Sequence, residues 1–220
     1  MSATLDELIR AGKEIVPGYR LVQLIGRGGY GEVWTAATPG DGRCALKIIR
    51  NVNAAEGKGQ FRSLAIIRDL DHDRLIRLQA YWLLAENGSV VPDDVVDQMG
   101  APTSCALAIA MELAHQNLQQ RRLECQDQGE PGIPSDELVG YIRQSAEAID
   151  YLNFQEPAIV HRNISPQNIL LTKNRRVKVS GFGFVQLVAG TFAAINSGLS
   201  FVPDRYGPAT RISRDLELVI

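Results

Sequence analysis

His161-Arg162-Asn163-Ile164-Ser165-Pro166-Gln167-Asn168-Ile169-Leu170-Leu171 and, five residues later, Val177-Lys178-Val179-Ser180-Gly181-Phe182-Gly183 form the stretch on which the reading of this chain turns. Two short apolar runs, Ile169 to Leu171 and Val177 to Val179, read as strand pieces beside polar loops. Histidine, asparagine and serine populate those loops, and no Asp or Glu occurs between Glu156 and Asp204. An amide such as Asn163 or Asn168 has no useful basicity, and its NH2 end is a donor. Whatever chemistry the stretch supports, it runs without a carboxylate of its own.

The totals describe a soluble globular protein. With 220 residues, 45% of them hydrophobic, the chain is long enough for one large domain or two small lobes around a buried core. Its 23 basic and 25 acidic residues give a net charge of −2, so nothing global attracts it to nucleic acid or to an anionic membrane. Cys44, Cys105 and Cys125 are odd in number and scattered, which argues against a disulfide frame or a metal knuckle and suits a reducing cytoplasm. Met1 to Lys13 lacks the basic start and apolar run of a secretion signal. The longest apolar run, Cys105 to Met111, is far below the roughly 20 residues of a membrane helix. There is no internal repeat.

Upstream of the central stretch, Leu5, Leu8, Ile9 and Ala11 fit a short helix or lead-in that Pro17-Gly18 ends, and Tyr19 to Ile25 reads as a strand. Gly26-Arg27-Gly28-Gly29-Tyr30-Gly31-Glu32-Val33 follows. On its own G-x-G-x-x-G is weak, and a glycine-rich hairpin turn explains it equally well. Its context is more specific: strand-like runs lie on both sides, whereas a dinucleotide fingerprint needs a helix after the last glycine. In such a flap, backbone N–H groups unobstructed by side chains approach a phosphate chain. Pro39-Gly40-Asp41-Gly42 is a turn, and Arg43 to Ile49 is the next strand, with Ala45 and Lys47 on one face. Phe61, Leu64, Ala65 and Ile67 mark an amphipathic helix over residues 59 to 70. Ala80 to Leu84 is strand-like, Glu86 to Ser104 a polar surface excursion, and Ala106 to Ala114 a buried strand with its exit. Gln116 to Gln128 reads as a polar helix holding Leu118 and Leu123. Ser135, with Asp136 and Glu137 behind it, caps a second helix whose buried stripe is Leu138, Ile142, Ser145, Ile149 and Leu152.

Taken together these segments resemble the protein kinase family. The central stretch is similar to H-R-D-x-x-x-x-N followed by D-F-G, the glycine segment to the family's Gly-rich loop, and Ala45-Leu46-Lys47 to its A-x-K. Asp71 to Leu78 resembles the connection after the αC helix, and Phe201-Val202-Pro203-Asp204 with Ser213-Arg214-Asp215-Leu216 resembles the A-P-E end of the activation segment and the start of αF. The likeness covers residues 19 to 220, closest in flavour to bacterial Ser/Thr kinase-like proteins. It implies an α+β, two-lobed fold, with a small β-rich lobe holding one αC-type helix and a mainly helical large lobe, incomplete at its C-terminus. Residues 1–18 are then a lead-in, 19–114 the small lobe and hinge, and 115–220 part of the large lobe.

The same resemblance implies a nucleotide site. Ile25, Gly26, Gly28, Gly31 and Val33 of the flap, with Ala45 and Lys47 of the next strand, would meet the ring and phosphates of ATP. Met111 would be the gatekeeper, the backbones of Glu112 and Ala114 would meet the adenine edge, and Leu170 would lie beneath the ring. His161 would brace the loop core, joining Ile67, Leu78 and Phe182 in a hydrophobic spine. Arg162 would face a phosphorylated activation segment, for which Thr191, Ser197 and Ser200 are the available hydroxyls.

Four departures fall on the chemistry. The αC glutamate that clamps the lysine is Ser63, and Glu56 is about two helical turns away. The catalytic base position is Asn163, and the lysine that neutralises the γ-phosphate is Ser165. The metal-binding aspartate is Gly181, leaving Asn168 as a lone, weak Mg2+ ligand. ATP therefore stands as the expected ligand and Mg2+ is placed in doubt. The functional expectation is a pseudokinase, an ATP-binding or protein-binding regulatory module with little or no phosphotransfer. The rivals are a weakly active Ser/Thr kinase and a truncated, non-functional fragment. A protein substrate or partner is expected in the first two readings, with further domains beyond residue 220.

Overall fold

The computed structural model describes residues 5–28, 31–52, 64–92, 105–155, 159–161 and 163–181. Two compact units emerge, one comprising residues 1–70 and 77–113, the other 71–76 and 114–220.

Among its described residues the first unit is built on a seven-stranded sheet. Its strands are β1 (Glu14–Val16), β2 (Tyr19–Gly28), β3 (Gly31–Thr38), β4 (Gly42–Val52), β5 (Leu78–Ala85), β6 (Val90–Val91) and β7 (Cys105–Met111). They lie in the order β1-β2-β3-β4-β7-β5-β6, and every neighbouring pair is antiparallel. The β3–β4 turn is made where the sequence places Pro39-Gly40-Asp41-Gly42, with Gly40 and Asp41 both at positive φ. Alternation then sorts the side chains. On one face Trp34, Leu46 and Ala110 stand in a row, flanked by Ala36 with Cys44 and by Ile48 with Ala108. These residues form the core with Leu21 and Leu84.

The N-terminal residues complete that core. A short helix appears at Leu5–Leu8, but it ends before Ile9 and Ala11 and well before Pro17-Gly18, and β1 does not announce itself in a three-residue stretch with no alternation to read. Ile9, Ile15 and Val16 are buried in the cluster beneath the sheet. Their backbone is tied by Gly12 N–H to the Leu21 carbonyl (2.7 Å) and Leu21 N–H to the Lys13 carbonyl (2.8 Å). Of the amphipathic helix expected over residues 59–70, residues 64–68 are helical with Leu64 and Ile67 buried, residues 69 and 70 are not helical, and residues 59–63, Phe61 among them, lie outside the described residues.

Among its described residues the second unit holds two helices and a three-stranded sheet in the order β10-β9-β8, with β8 at Gln116–Asn117, β9 at Ile169–Leu171 and β10 at Val177–Val179. Both apolar runs of the central stretch are therefore strands, paired antiparallel. The helix Leu118–Asp127 begins with a capping box, the Asn117 side chain accepting from Gln120 N–H while the Gln120 side chain accepts from Asn117 N–H. Two details of the helix Ser135–Asn153 correct the sequence reading. Its N-cap is Pro134, without a side-chain cap, and Ser135 is its first helical residue. Its buried stripe is Leu138, Tyr141, Ser145, Ala148 and Leu152, while Ile142 is exposed and Ile149 half-buried. The expected and observed stripes both alternate spacings of three and four, so the helical period alone does not choose between two neighbouring lines on the helix, and packing selects the one through Tyr141 and Ala148.

Residues 71–76 belong to this unit although they precede β5 in the chain. Leu75 makes a parallel bridge with Val179, Ile76 N–H donates to the Val179 carbonyl (2.9 Å), and Val179 N–H donates to the Arg74 carbonyl (2.7 Å). His72 stacks on Tyr151 at 4.6 Å, and Arg74 pairs with Glu147 at 3.1 Å. Another tie, invisible in the sequence, is the buried Arg121, whose guanidinium forks onto both oxygens of Glu137 at 2.8 and 3.1 Å.

Candidate functional site

In the first unit four of the expected nucleotide residues, Val33, Ala45, Lys47 and Met111, share one face of the sheet. Val33 stands beside Lys47 and Lys47 beside Ile109, while Ala45 stands between Thr35 and Met111. Cross-strand partners share a face, so Val33, Ala45, Lys47 and Met111 do too. Ala45 is buried, and Lys47 is half-buried with its ammonium pushed down to about 8 by burial. Glu112 is tied twice to the start of β5: its N–H donates to the Arg77 carbonyl at 3.0 Å, and its carboxylate accepts from Arg77 N–H at 3.3 Å. Ala114 follows, half-buried, at the start of the second unit's main segment.

The glycines of the β2–β3 hairpin differ from one another. Ile25 is largely exposed, and Gly26 and Gly28 have room for a side chain, a Cβ at Gly28 meeting nothing within 4 Å. Gly31 does not: its φ is +111°, and a Cβ there would strike the carbonyl of Ile48 on β4. One glycine of the motif is thus required by sheet packing alone.

Sequence reasoning passed over Glu32, which is buried beside that glycine. Its carboxylate accepts from Arg27 at 2.8 Å, from the Trp34 indole at 3.0 Å and from Arg50 at 3.2 Å. Burial would raise this carboxyl, yet the Trp34 hydrogen bond and the Arg50 and Arg27 charges hold it below the ordinary glutamate value. A glutamate in a strand next to a glycine motif reads as a solvated charge, so only the cross-strand register exposes its partners.

In the second unit the loop residues close on one another. His161 is buried; its Nδ1 accepts from Asn163 N–H at 3.2 Å, which leaves Nε2–H to donate to the Ser180 carbonyl at 3.1 Å. Burial pushes the imidazole down to about 4, so it is a neutral brace at physiological pH. Asn168 donates from Nδ2 to the Asn163 carbonyl at 2.8 Å, its own N–H donates to the Ser165 carbonyl at 2.9 Å, and its carbonyl accepts from Ser180 N–H at 2.8 Å. Asn163, Ser165 and Leu170 are half-buried, and Leu170 pairs with Lys178 and with Asn117. Gly181 adopts φ +80°, and a Cβ there would approach Asn168 Cγ at 2.8 Å and its two terminal atoms at 2.9 Å. Ser63, Arg162, Phe182, the activation-segment hydroxyls and everything after residue 181 lie outside the described residues.

A divalent metal finds poor support here. Among the described residues no three His, Cys, Asp or Glu side chains are grouped so that they could hold a metal ion. Gly181 offers no side-chain oxygen, and the amide of Asn168 is a neutral ligand. Among the described residues of this loop, the donor set does not fit Mg2+.

A glycine-rich antiparallel hairpin, a lysine in the next strand, and a histidine-braced loop before a strand pair make up the framework of a protein kinase domain. Residues 19–198 match the family model described as protein kinase domain, and the chain belongs to that family. A probable inactive receptor kinase, RLK902 of Arabidopsis thaliana, is 24% identical over 214 residues, which is 97% of this chain and 29% of that protein. Cyclin-dependent kinase 4 of Mus musculus is 29% identical over 178 residues, 77% of this chain and 52% of its own. The probable serine/threonine-protein kinase MRK1 homolog of Encephalitozoon cuniculi (strain GB-M1) is 26% identical over 179 residues, 81% of this chain and 48% of its own. The chain spans about half or less of the length of these curated relatives. No described helix is long and apolar enough to cross a membrane.

Proposed function

We propose that this domain is a pseudokinase, a module that binds ATP through the β2–β3 hairpin, Lys47 and the segment after Met111 and transfers little or no phosphate. The observation that carries the reading is Gly181, where the position of the metal-binding aspartate has no side chain and lies against Asn168. Asn163 supports it from the other side of the reaction, since an amide cannot accept the substrate proton, and losing a general base costs on the order of 10²- to 10⁴-fold in rate. These defects act on one transition state, so their costs do not simply add. The word "inactive" in the name of the receptor kinase relative agrees with this reading, while the other two relatives carry names of kinases.

A protein partner is the natural recipient of such a module's signal. Cys44 and Cys125 are buried free thiols, which suits the cytoplasm. The quoted relatives are eukaryotic and lend the bacterial flavour of the sequence no support. A melting titration with ATP tests the reading. Stabilisation that is present in EDTA, unchanged by Mg2+ and lost in Lys47→Ala is the expected result, together with no transfer of labelled γ-phosphate to the protein itself or to a generic substrate. Phosphotransfer that disappears in Lys47→Ala would establish the rival, a weakly active Ser/Thr kinase.

A further inference from the structure

We infer that Glu32 is the positioning residue of the glycine-rich hairpin, and that Arg27 serves as its anchor and not as a phosphate ligand; this rests on the nucleotide-binding reading above. Between Gly26 and Val33, Arg27 is the one cationic side chain, and an arginine among glycines invites a phosphate role. The geometry assigns it otherwise. Arg27 lies directly across from Glu32 in the β2–β3 register, and its guanidinium donates to Glu32 Oε1. Glu32 is opposite Ile48 on β4, the row next to the one in which Val33 is opposite Lys47. Adjacent residues of a strand point to opposite faces, so the Glu32 carboxylate and the Arg27 head held on it belong to the face opposite Lys47.

Glu32 also draws on two further strand positions. Arg50, from β4, shares Oε1, and the Trp34 indole takes Oε2. Three strands are thereby tied at one buried carboxylate, whose side chain is 9% exposed against 68% for that of Arg27. At Gly26 an added Cβ would meet only Val33 Cβ and at Gly28 nothing within 4 Å, so neither of these positions fixes the described part of the hairpin by packing. An ordered hairpin loses less conformational freedom when it closes over a ligand, which is how a group that never touches the ligand raises its affinity.

The experiment uses the full chain in EDTA with ATP as the probe, in a Trp82→Phe background that leaves Trp34 as the single indole. In ligand-free protein, amide exchange over residues 24–34 should quicken by about 10-fold in Arg27→Ala and in Glu32→Ala, while the helix Ser135–Asn153 keeps its wild-type rates. Trp34 emission should shift in Glu32→Ala, and ATP affinity should fall by roughly 5- to 20-fold in both variants. Arg27→Lys, which retains the charge, should recover most of the loss. Should the buried Glu32→Ala fail to fold, the exposed Arg27→Ala carries the test. Unchanged exchange in the hairpin overturns the inference, as does tighter ATP binding in Glu32→Ala, the result expected if Arg27 were freed to reach phosphate. A wild type that binds no ATP defeats the nucleotide reading instead, and the exchange rates then still decide the role of Glu32.

Discussion

Gly31 and Gly181 both adopt positive φ, yet they answer to different neighbours. Gly31 lies against the backbone of β4, which cannot move aside, whereas Gly181 lies against the end of the Asn168 side chain, which can. Gly31→Ala should therefore cost about 2–4 kcal/mol, while Gly28→Ala, in open space, should stay within about 0.5 kcal/mol, as read from paired denaturant melts. His161 supplies a pH signature. Its folded-state value of about 4 lies below the ordinary 6.5, so between those limits the unfolded chain binds more protons, and stability falls as pH drops through that window. From pH 6.5 to 5 the loss should be about 2 kcal/mol, and a His161→Leu variant, less stable throughout, should lack that slope. Lys47 carries the opposite titration. Its ammonium, pushed down to about 8, loses its charge as pH rises past that value, so ATP affinity should fall between pH 7 and 9 and do so far less in Lys47→Arg. Isothermal titration at several pH values reads it directly. Of these residues, sequence singled out His161, Lys47 and Gly181 because they sit in motifs; it missed Glu32 because register, not spacing, brings Arg27, Trp34 and Arg50 to it.

At the scale of elements, the N-terminal residues matter more than their place ahead of the family match suggests. The match begins at residue 19, yet Ile9, Ile15 and Val16 are 7%, 4% and 2% exposed in the core of the sheet. Burying each such side chain contributes about 1.5–3 kcal/mol, so their sum approaches the 5–15 kcal/mol that typically holds a domain together. A chain starting at residue 17 should lose the cooperative melt of its sheet and self-associate through the uncovered Trp34, Leu46 and Ile48 face, as size-exclusion chromatography would record. The long strands were legible because β3, β4 and β7 are apolar or alternating over seven or more residues. β1 and β8 were not, being two or three residues long and defined only by their partners. Helix Ser135–Asn153 was legible in its extent, but its buried face required Tyr141 and Ala148, whose neighbours Arg121 and Glu137 hold the adjoining helices together through an ion pair that sequence spacing does not reveal.

For the molecule as a whole, the family and the residue order were legible from a handful of separated motifs, and what sequence left open is what those motifs still do. The structure shows the same scaffold serving packing at several of them. Gly31 makes room for a strand, His161 joins two loops, and Asn168 spans from Asn163 to Ser180. Each has a structural duty that persists whether or not phosphate ever moves, which is why a kinase framework is recognisable around Asn163 and Gly181.

The placement of residues 71–76 has one more consequence. Because this segment pairs with Val179 while the chain on either side of it builds the seven-stranded sheet, the polypeptide passes between its two units three times, after residues 70, 76 and 113. The units are interleaved along the gene: no single cut separates them, and a fragment beginning at residue 114 would arrive without the strand-like piece that borders β10. Exchange of one unit between relatives by recombination would therefore need three crossovers, so the two are expected to be inherited together.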